Sequence, residues 1–197
     1  MIQKYLILTL GIVALVITLG RVTGLFNKGE DARSQESVNS EEKFFVYLTG
    51  YTYFDNTPPG ADISYPTVHR EAGGTGTYDD PITLAVGHSR MDGRDILDIA
   101  SGTRIYIPVV RKYFVVEDTC GDGESPQLGG CHVLSTEAQA VGARYWFDLW
   151  IGGEGENESS VQACANAITG GYVVIMNPSS QHAVVPGPMF DHGRCAK

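Results

Sequence analysis

Two apolar runs, each ending in or interrupted by a carboxylate beside a glycine-rich turn, constrain this chain more than any other feature. The first is Phe114-Val115-Val116-Glu117-Asp118-Thr119-Cys120-Gly121-Asp122-Gly123, and the second is Tyr145-Trp146-Phe147-Asp148-Leu149-Trp150-Ile151-Gly152-Gly153. Both read as buried β-strands, and a carboxylate carried into such a strand costs free energy unless something uses it. Paired aspartates at strand ends suggest acid/base chemistry. The structural alternative is that Asp118 caps the turn after it and Asp148 lies on the wet face of an alternating strand. On these two segments alone both readings stand open.

The chain has 197 residues, enough for one domain with a sizeable core. Tyr5 to Gly20 is an uncharged run of 16 residues between Lys4 and Arg21. Its length lies between that of a signal-peptide core and that of a membrane span. Residues 1–26 are therefore expected to be a signal peptide or a membrane anchor, with membrane anchoring through residues 5–20 in the second case. Residues 27–43 are polar, charged and without apolar period, which predicts a flexible tether ahead of a domain over 44–197.

Export to an oxidising compartment, secreted or membrane-anchored, fits an even set of cysteines: Cys120, Cys131, Cys164 and Cys195. Four cysteines allow three pairings. Loop closure favours Cys120 with Cys131, stapling Gly121 to Gly130, and Cys164 with Cys195, tying a helix to the C-terminal tail. Their irregular spacing, without Cys-x-x-Cys, argues against zinc, and neither a metal nor a cofactor is expected.

The formal charge is −9, and removing Lys4 and Arg21 with the N-terminal segment leaves −11. Nucleic acid and anionic membrane surfaces are poor partners for such a chain, while neutral or basic polymers remain open. Asn157-Glu158-Ser159 is a glycosylation acceptor where the host has that machinery.

Short β-type runs recur between turn signals: Phe44 to Tyr53, Pro81 to Val86, Thr103 to Ile107, Tyr113 to Glu117, Phe147 to Ile151 and Tyr172 to Met176. That rhythm predicts a small barrel or sandwich. One helix is expected over Ser160 to Thr169, where Val161, Cys164, Ala165 and Ile168 share a face, with Ser159 or Ser160 as cap. A second, shorter one is expected over Ser135 to Ala143. The loop Gly73-Gly74-Thr75-Gly76-Thr77 lacks the context of a phosphate loop and is expected to form a mobile rim to a cleft. Asp79 and Asp80 read as turn residues, and His69, His132, His182 and His192 as surface or structural.

The order AVGHS (85–89), SGTRIYIP (101–108), FVVEDTCGDG, WFDLWIGG, helix, YVVIM resembles the double-psi β-barrel family. Within it the chain is similar to the three-aspartate domain of membrane-bound lytic transglycosylase A, rare lipoprotein A, the expansins and the barwin-like endoglucanases. The resemblance covers roughly Phe44 to Met176. It implies a mainly β fold, a six-stranded double-psi β-barrel with one or two short helices.

Carried over by residue, Asp118 matches the aspartate of the Asp-Thr-Gly-Gly turn, and Asp148 that of the aromatic-x-Asp-Leu strand. Asp55, in Thr52-Tyr53-Phe54-Asp55, is similar to the endoglucanase base. His88 falls where rare lipoprotein A has its histidine. Gly87 stands where the three-aspartate pattern has its first aspartate. The resemblance implies a polysaccharide partner, peptidoglycan or β-glucan, cleaved by Asp118, Asp148 and Asp55. It also implies an alternative, a non-catalytic expansin-like wall-binding or loosening module.

Alternation along 146–151 sets Trp146, Asp148 and Trp150 on one face. Indole faces can stack on sugars or simply pack. His88, Tyr53, Trp146 and Trp150 are thus the candidate substrate-binding residues.

Overall fold

A computed structural model describes residues 41–121 and 123–196. The expected signal or anchor over 1–26, and the tether as far as residue 40, lie outside the described residues. Among the described residues no helix is long and apolar enough to cross a membrane.

The elements run in chain order β1 (Glu42–Thr52), β2 (Ile82–Val86), β3 (His88–Met91), β4 (Arg94–Leu97), β5 (Arg104–Ile107), β6 (Lys112–Thr119), α1 (Thr136–Ala140), β7 (Tyr145–Gly152), α2 (Glu158–Ile168), β8 (Gly170–Met176), β9 (Phe190–Asp191) and β10 (Arg194–Cys195). The fold is mainly β. Six strands close into a mixed barrel in the order β1-β7-β2-β6-β5-β8. The six strands read from the sequence are these six.

Period-two patterning builds the barrel. Val46 and Leu48 of β1, Leu84 and Val86 of β2, Ile105 and Ile107 of β5, Phe114 and Val116 of β6, Phe147 and Leu149 of β7 and Val174 of β8 fill one core. Each side chain so buried contributes about 1.5–3 kcal/mol. Helix α2 buries Val161, Cys164, Ala165 and Ile168, the face expected from its spacing, and packs on β1 and β7. Gly50 permits that approach, because a Cβ there would lie 2.8 Å from the Ile151 side chain and 3.1 Å from the Ala165 backbone. The helix starts earlier than expected. Asn157, rather than Ser159 or Ser160, is its cap, accepting from Ser160 N–H. The second short helix is α1, capped by Ser135.

The hairpin of β3 and β4 was not foreseen. It turns at Asp92-Gly93, both with positive φ (52° and 73°), and Asp-Gly is a strong signal for such a turn.

Strand β7 lies between β1 and β2, parallel to β1, and β2 lies between β7 and β6, parallel to β6. The connections β1 to β2 (residues 53–81) and β6 to β7 (residues 120–144) must therefore each cross a strand. Exchanging β1, β2 and β5 for β6, β7 and β8 leaves the order around the barrel unchanged. Both disulfides form as expected, Cys120 with Cys131 and Cys164 with Cys195.

Candidate active site

Thr49, Asp148, Ala85 and Asp118 are successive cross-strand partners on β1, β7, β2 and β6. Their sequence neighbours Leu48, Phe147, Leu149, Leu84 and Val86 point into the core, so this row points outward. Asp118 joins it through a register shift. Thr83 pairs with Val115 and Leu84 with Val116, but Ala85 pairs with Asp118, passing over Glu117. The shift lets Glu117 and Asp118, consecutive in the chain, both lie outside the barrel, the usual effect of a bulge. The two aspartates flank Ala85 with their Cα atoms two strand spacings apart, about 10 Å. Alanine keeps the floor between them low.

Above that floor lies a cleft of about 260 Å³ lined by Tyr51, Asp55, Asn56, Asp62, Ser64, Ala85, Asp118, Thr119, Cys120, Gly121 and Asp148. Asp55 to Ser64 come from the first crossing connection, and Cys120 and Gly121 from the second. The four carboxylates face no lysine or arginine in that lining.

Asp118, only 7% exposed, is oriented by three donors. Ser64 N–H and Thr119 N–H donate to Oδ1 (3.1 and 2.9 Å), and Tyr51 Oη donates to Oδ2 (3.0 Å). Burial raises its pKa above the usual carboxylate value, against the lowering effect of those donors. The Tyr51 hydroxyl is itself pushed well up, first by burial and then by the Asp118 charge, so it stays a donor.

Asp148 receives Thr49 Oγ1–H at 2.7 Å, and Thr49 in turn accepts Trp146 Nε1–H at 2.8 Å. Burial raises Asp148 to about 6, and the charges of Asp55 and Asp118 add to the rise. Asp55 is exposed and accepts Thr52 N–H at 2.6 Å. Chemically this is a carboxyl, Asp148, that binds its proton more tightly than a free one and feels the charges of Asp118, across Ala85, and of the exposed Asp55.

Other expected site residues lie elsewhere. Trp146 and Trp150 share the face of Asp148 as alternation requires, but neither lines the cleft. Trp150 is 7% exposed and packs on Tyr51, ring centroids 5.2 Å apart, while Trp146 packs edge-on against Tyr47. Tyr53 packs against the core and the Phe54 ring. Each of the three packs against a neighbouring aromatic ring, and none is among the residues that line the cleft. His88 is 5% exposed. Its Nε2 lies 3.0 Å from the Gly121 carbonyl, and Nδ1 lies 3.4 Å from Asp95 without hydrogen-bond alignment. It supports the cleft wall from behind.

Gly73 to Thr77 is not a rim of this cleft. It sits at the start of β2, where Thr75 N–H donates to Asp80, Tyr113 N–H to Gly76 O and Gly187 N–H to Thr75 O. Asp62, Ser64 and Ala85 were missed as lining residues, because nothing local in their sequence marks them. Among the described residues no three His, Cys, Asp or Glu side chains are grouped to hold a metal ion.

The family model for the DDB_G0273701 N-terminal domain matches residues 43–196, which include the cleft and both disulfides. The chain belongs to this family. An uncharacterised protein of Dictyostelium discoideum, DDB_G0273701/DDB_G0273221, is 32% identical over 164 residues. The match covers 82% of this chain and 64% of the relative, so the chain spans less than two thirds of that protein's length. The domain of this family is thus the barrel with its two crossing connections.

Proposed function

We propose that this domain is an exported double-psi β-barrel enzyme that cleaves a β-1,4-linked polysaccharide, peptidoglycan or a β-glucan, by aspartate acid/base catalysis. The observation that carries the reading is the pair Asp148 and Asp118, both with raised affinity for protons, facing one open cleft across Ala85. The double-psi assignment is supported by the two interlocked crossings, β7 between β1 and β2 and β2 between β6 and β7. Two disulfides are compatible with an oxidising compartment.

In this reading Asp148 gives its proton to the glycosidic oxygen, which a carboxyl with pKa near 6 can do at mildly acid pH. As the leaving oxygen departs, positive charge grows on the sugar ring, and the Asp118 carboxylate, fixed by Tyr51, Ser64 and Thr119, faces it. The bond is completed by a water that Asp55 deprotonates, as in an endoglucanase, or by a hydroxyl of the same sugar whose proton passes to the Asp148 carboxylate left by the first step, as in a lytic transglycosylase.

The test is product release from peptidoglycan and from a soluble β-glucan. Asp148→Asn and Asp118→Asn keep side-chain size and are each expected to lower the rate by about 10² to 10⁴ with the fold intact. Asp55→Asn cripples the hydrolase route and only weakens the other. Unchanged product from both Asp148→Asn and Asp118→Asn sinks the catalytic reading. Wild-type protein that binds a polymer and cuts none is the outcome for an expansin-like module.

A further inference from the structure

Of the two carboxylates that the register shift puts outside the barrel, only Asp118 reaches the cleft. Glu117 is fully buried under residues 64–69. Its Oε1 accepts Thr67 N–H (3.0 Å), Thr67 Oγ1–H (2.8 Å), His69 N–H (2.9 Å) and Val68 N–H. Its Oε2 accepts Thr83 Oγ1–H (3.3 Å) and lies 2.7 Å from His69 Nδ1.

The other ring nitrogen of His69, Nε2, lies 3.0 Å from Asp80 Oδ1. Asp80 Oδ2 is occupied by Thr75 N–H and Oγ1–H (3.0 and 2.7 Å). Two ionised carboxylates on two ring nitrogens each require an N–H, and a neutral imidazole has only one. The imidazolium alone satisfies both.

The segment clasped in this way also serves the cleft. Tyr65 N–H donates to the Glu117 carbonyl at 2.8 Å, and next to it Ser64 N–H donates to Asp118 Oδ1 at 3.1 Å. We propose that His69, as an imidazolium between Glu117 and Asp80, is a positioning residue that holds Ser64 N–H on the Asp118 carboxylate. The role rests on the reading of Asp118 as a working group of the cleft; the clasp itself does not.

The charged groups facing His69 are Glu117 from β6 and Asp80 from the turn before β2. Burial pushes its pKa down, but the hydrogen bonds and charges of those two outweigh burial and raise it. Burial works likewise against the ionised Glu117, and His69 with the backbone donors prevails, lowering it. A histidine raised in the folded state contributes its full stability below its unfolded value of about 6.5, and loses it as pH rises through the raised value. Above that point a ring lone pair faces a carboxylate and the clasp opens.

The experiment follows the His69 ring and the Ser64 amide of the full-length chain by NMR from about pH 5 to 9, the range in which imidazoles titrate. His69 is expected to titrate above its usual value, with the Ser64 amide moving upfield in the same step as its carboxylate bond weakens. His69→Asn keeps a donor at the place of Nδ1 and abandons Asp80; His69→Gln keeps one at the place of Nε2 and abandons Glu117. Each removes the step from Ser64, and whichever folds is expected to lower kcat roughly tenfold at acid pH with KM held. A Ser64 amide indifferent to His69, or a His69 that titrates at or below its usual value, overturns the proposal. A coupled step in a protein that cuts no polymer supports the clasp and overturns the enzymatic reading instead.

Discussion

Asp148 is where the fold and the proposed chemistry pull apart. Its pKa, raised to about 6 by burial before any charge effect, means that the folded protein prefers the protonated form. The associated stability is therefore complete below the unfolded carboxylate value and is lost as pH rises through about 6. Asp148→Asn, which cannot ionise, is expected to stabilise the fold at pH above about 7 by on the order of 3 kcal/mol, seen as a higher Tm, and to leave Tm unchanged near pH 4. Thermal melting at those two pH values checks it; equal shifts at both would show that the carboxyl is not held protonated. In the wild type, cleavage driven by this acid should fall as pH rises through about 6. Both cleft aspartates, Asp118 and Asp148, were legible as carboxylates in apolar runs. Their neighbourhood was not: counted by alternation from Phe114 and Val116, Asp118 points into the core, and only the pairing with β2 turns it out. Glu117 carried no sequence signal of its own, although it is more deeply buried than Asp118.

At the scale of elements, the two crossing connections carry the cleft and one of them is stapled. Cys120 and Gly121 line the cleft, and the Cys120–Cys131 bond spans a sequence separation of 11, against 31 for Cys164–Cys195. The longer loop stabilises more in the chain-entropy account, about 4 against about 3 kcal/mol. Replacing Cys164 and Cys195 with serine is thus expected to lower Tm more while sparing cleavage, and replacing Cys120 and Cys131 to lower Tm less while impairing cleavage. Melting and product release on the two variants decide it; equal losses of activity would detach the staple from the cleft. The six barrel strands and α2 were readable because their apolar periods are long and unbroken. The β3–β4 hairpin was readable from Asp92-Gly93 and was passed over. The cap at Asn157 competed with two serines of about equal capping preference, and the sequence does not rank them. The crossings were implied by the resemblance alone and by no local pattern, since strand order depends on partners far apart in the chain.

For the molecule as a whole, charge bears on which polymer enters. The chain carries −9, and the cleft presents Asp55, Asp62, Asp118 and Asp148 without a lysine or arginine among its lining residues. A polymer with free carboxylates approaches against that field, which salt screens over about 10 Å at 0.1 M. Cleavage of peptidoglycan should accelerate with added salt, and cleavage of a neutral β-glucan should not. Initial rates on both across a salt series are the measurement, and parallel salt curves would remove charge as a selector. The register shift in β6 has a further consequence, at the level of the gene. The number of codons through this strand is a determinant apart from the groups they encode. An exchange of one codon there alters one side chain, whereas the in-frame loss of the Glu117 codon removes the extra residue itself, leaving Asp118 next after Val116 and still outward opposite Ala85. Such an allele keeps every carboxylate of the cleft while taking away the bulge and the anchor of residues 64–69, a change that a screen limited to substitutions would never sample.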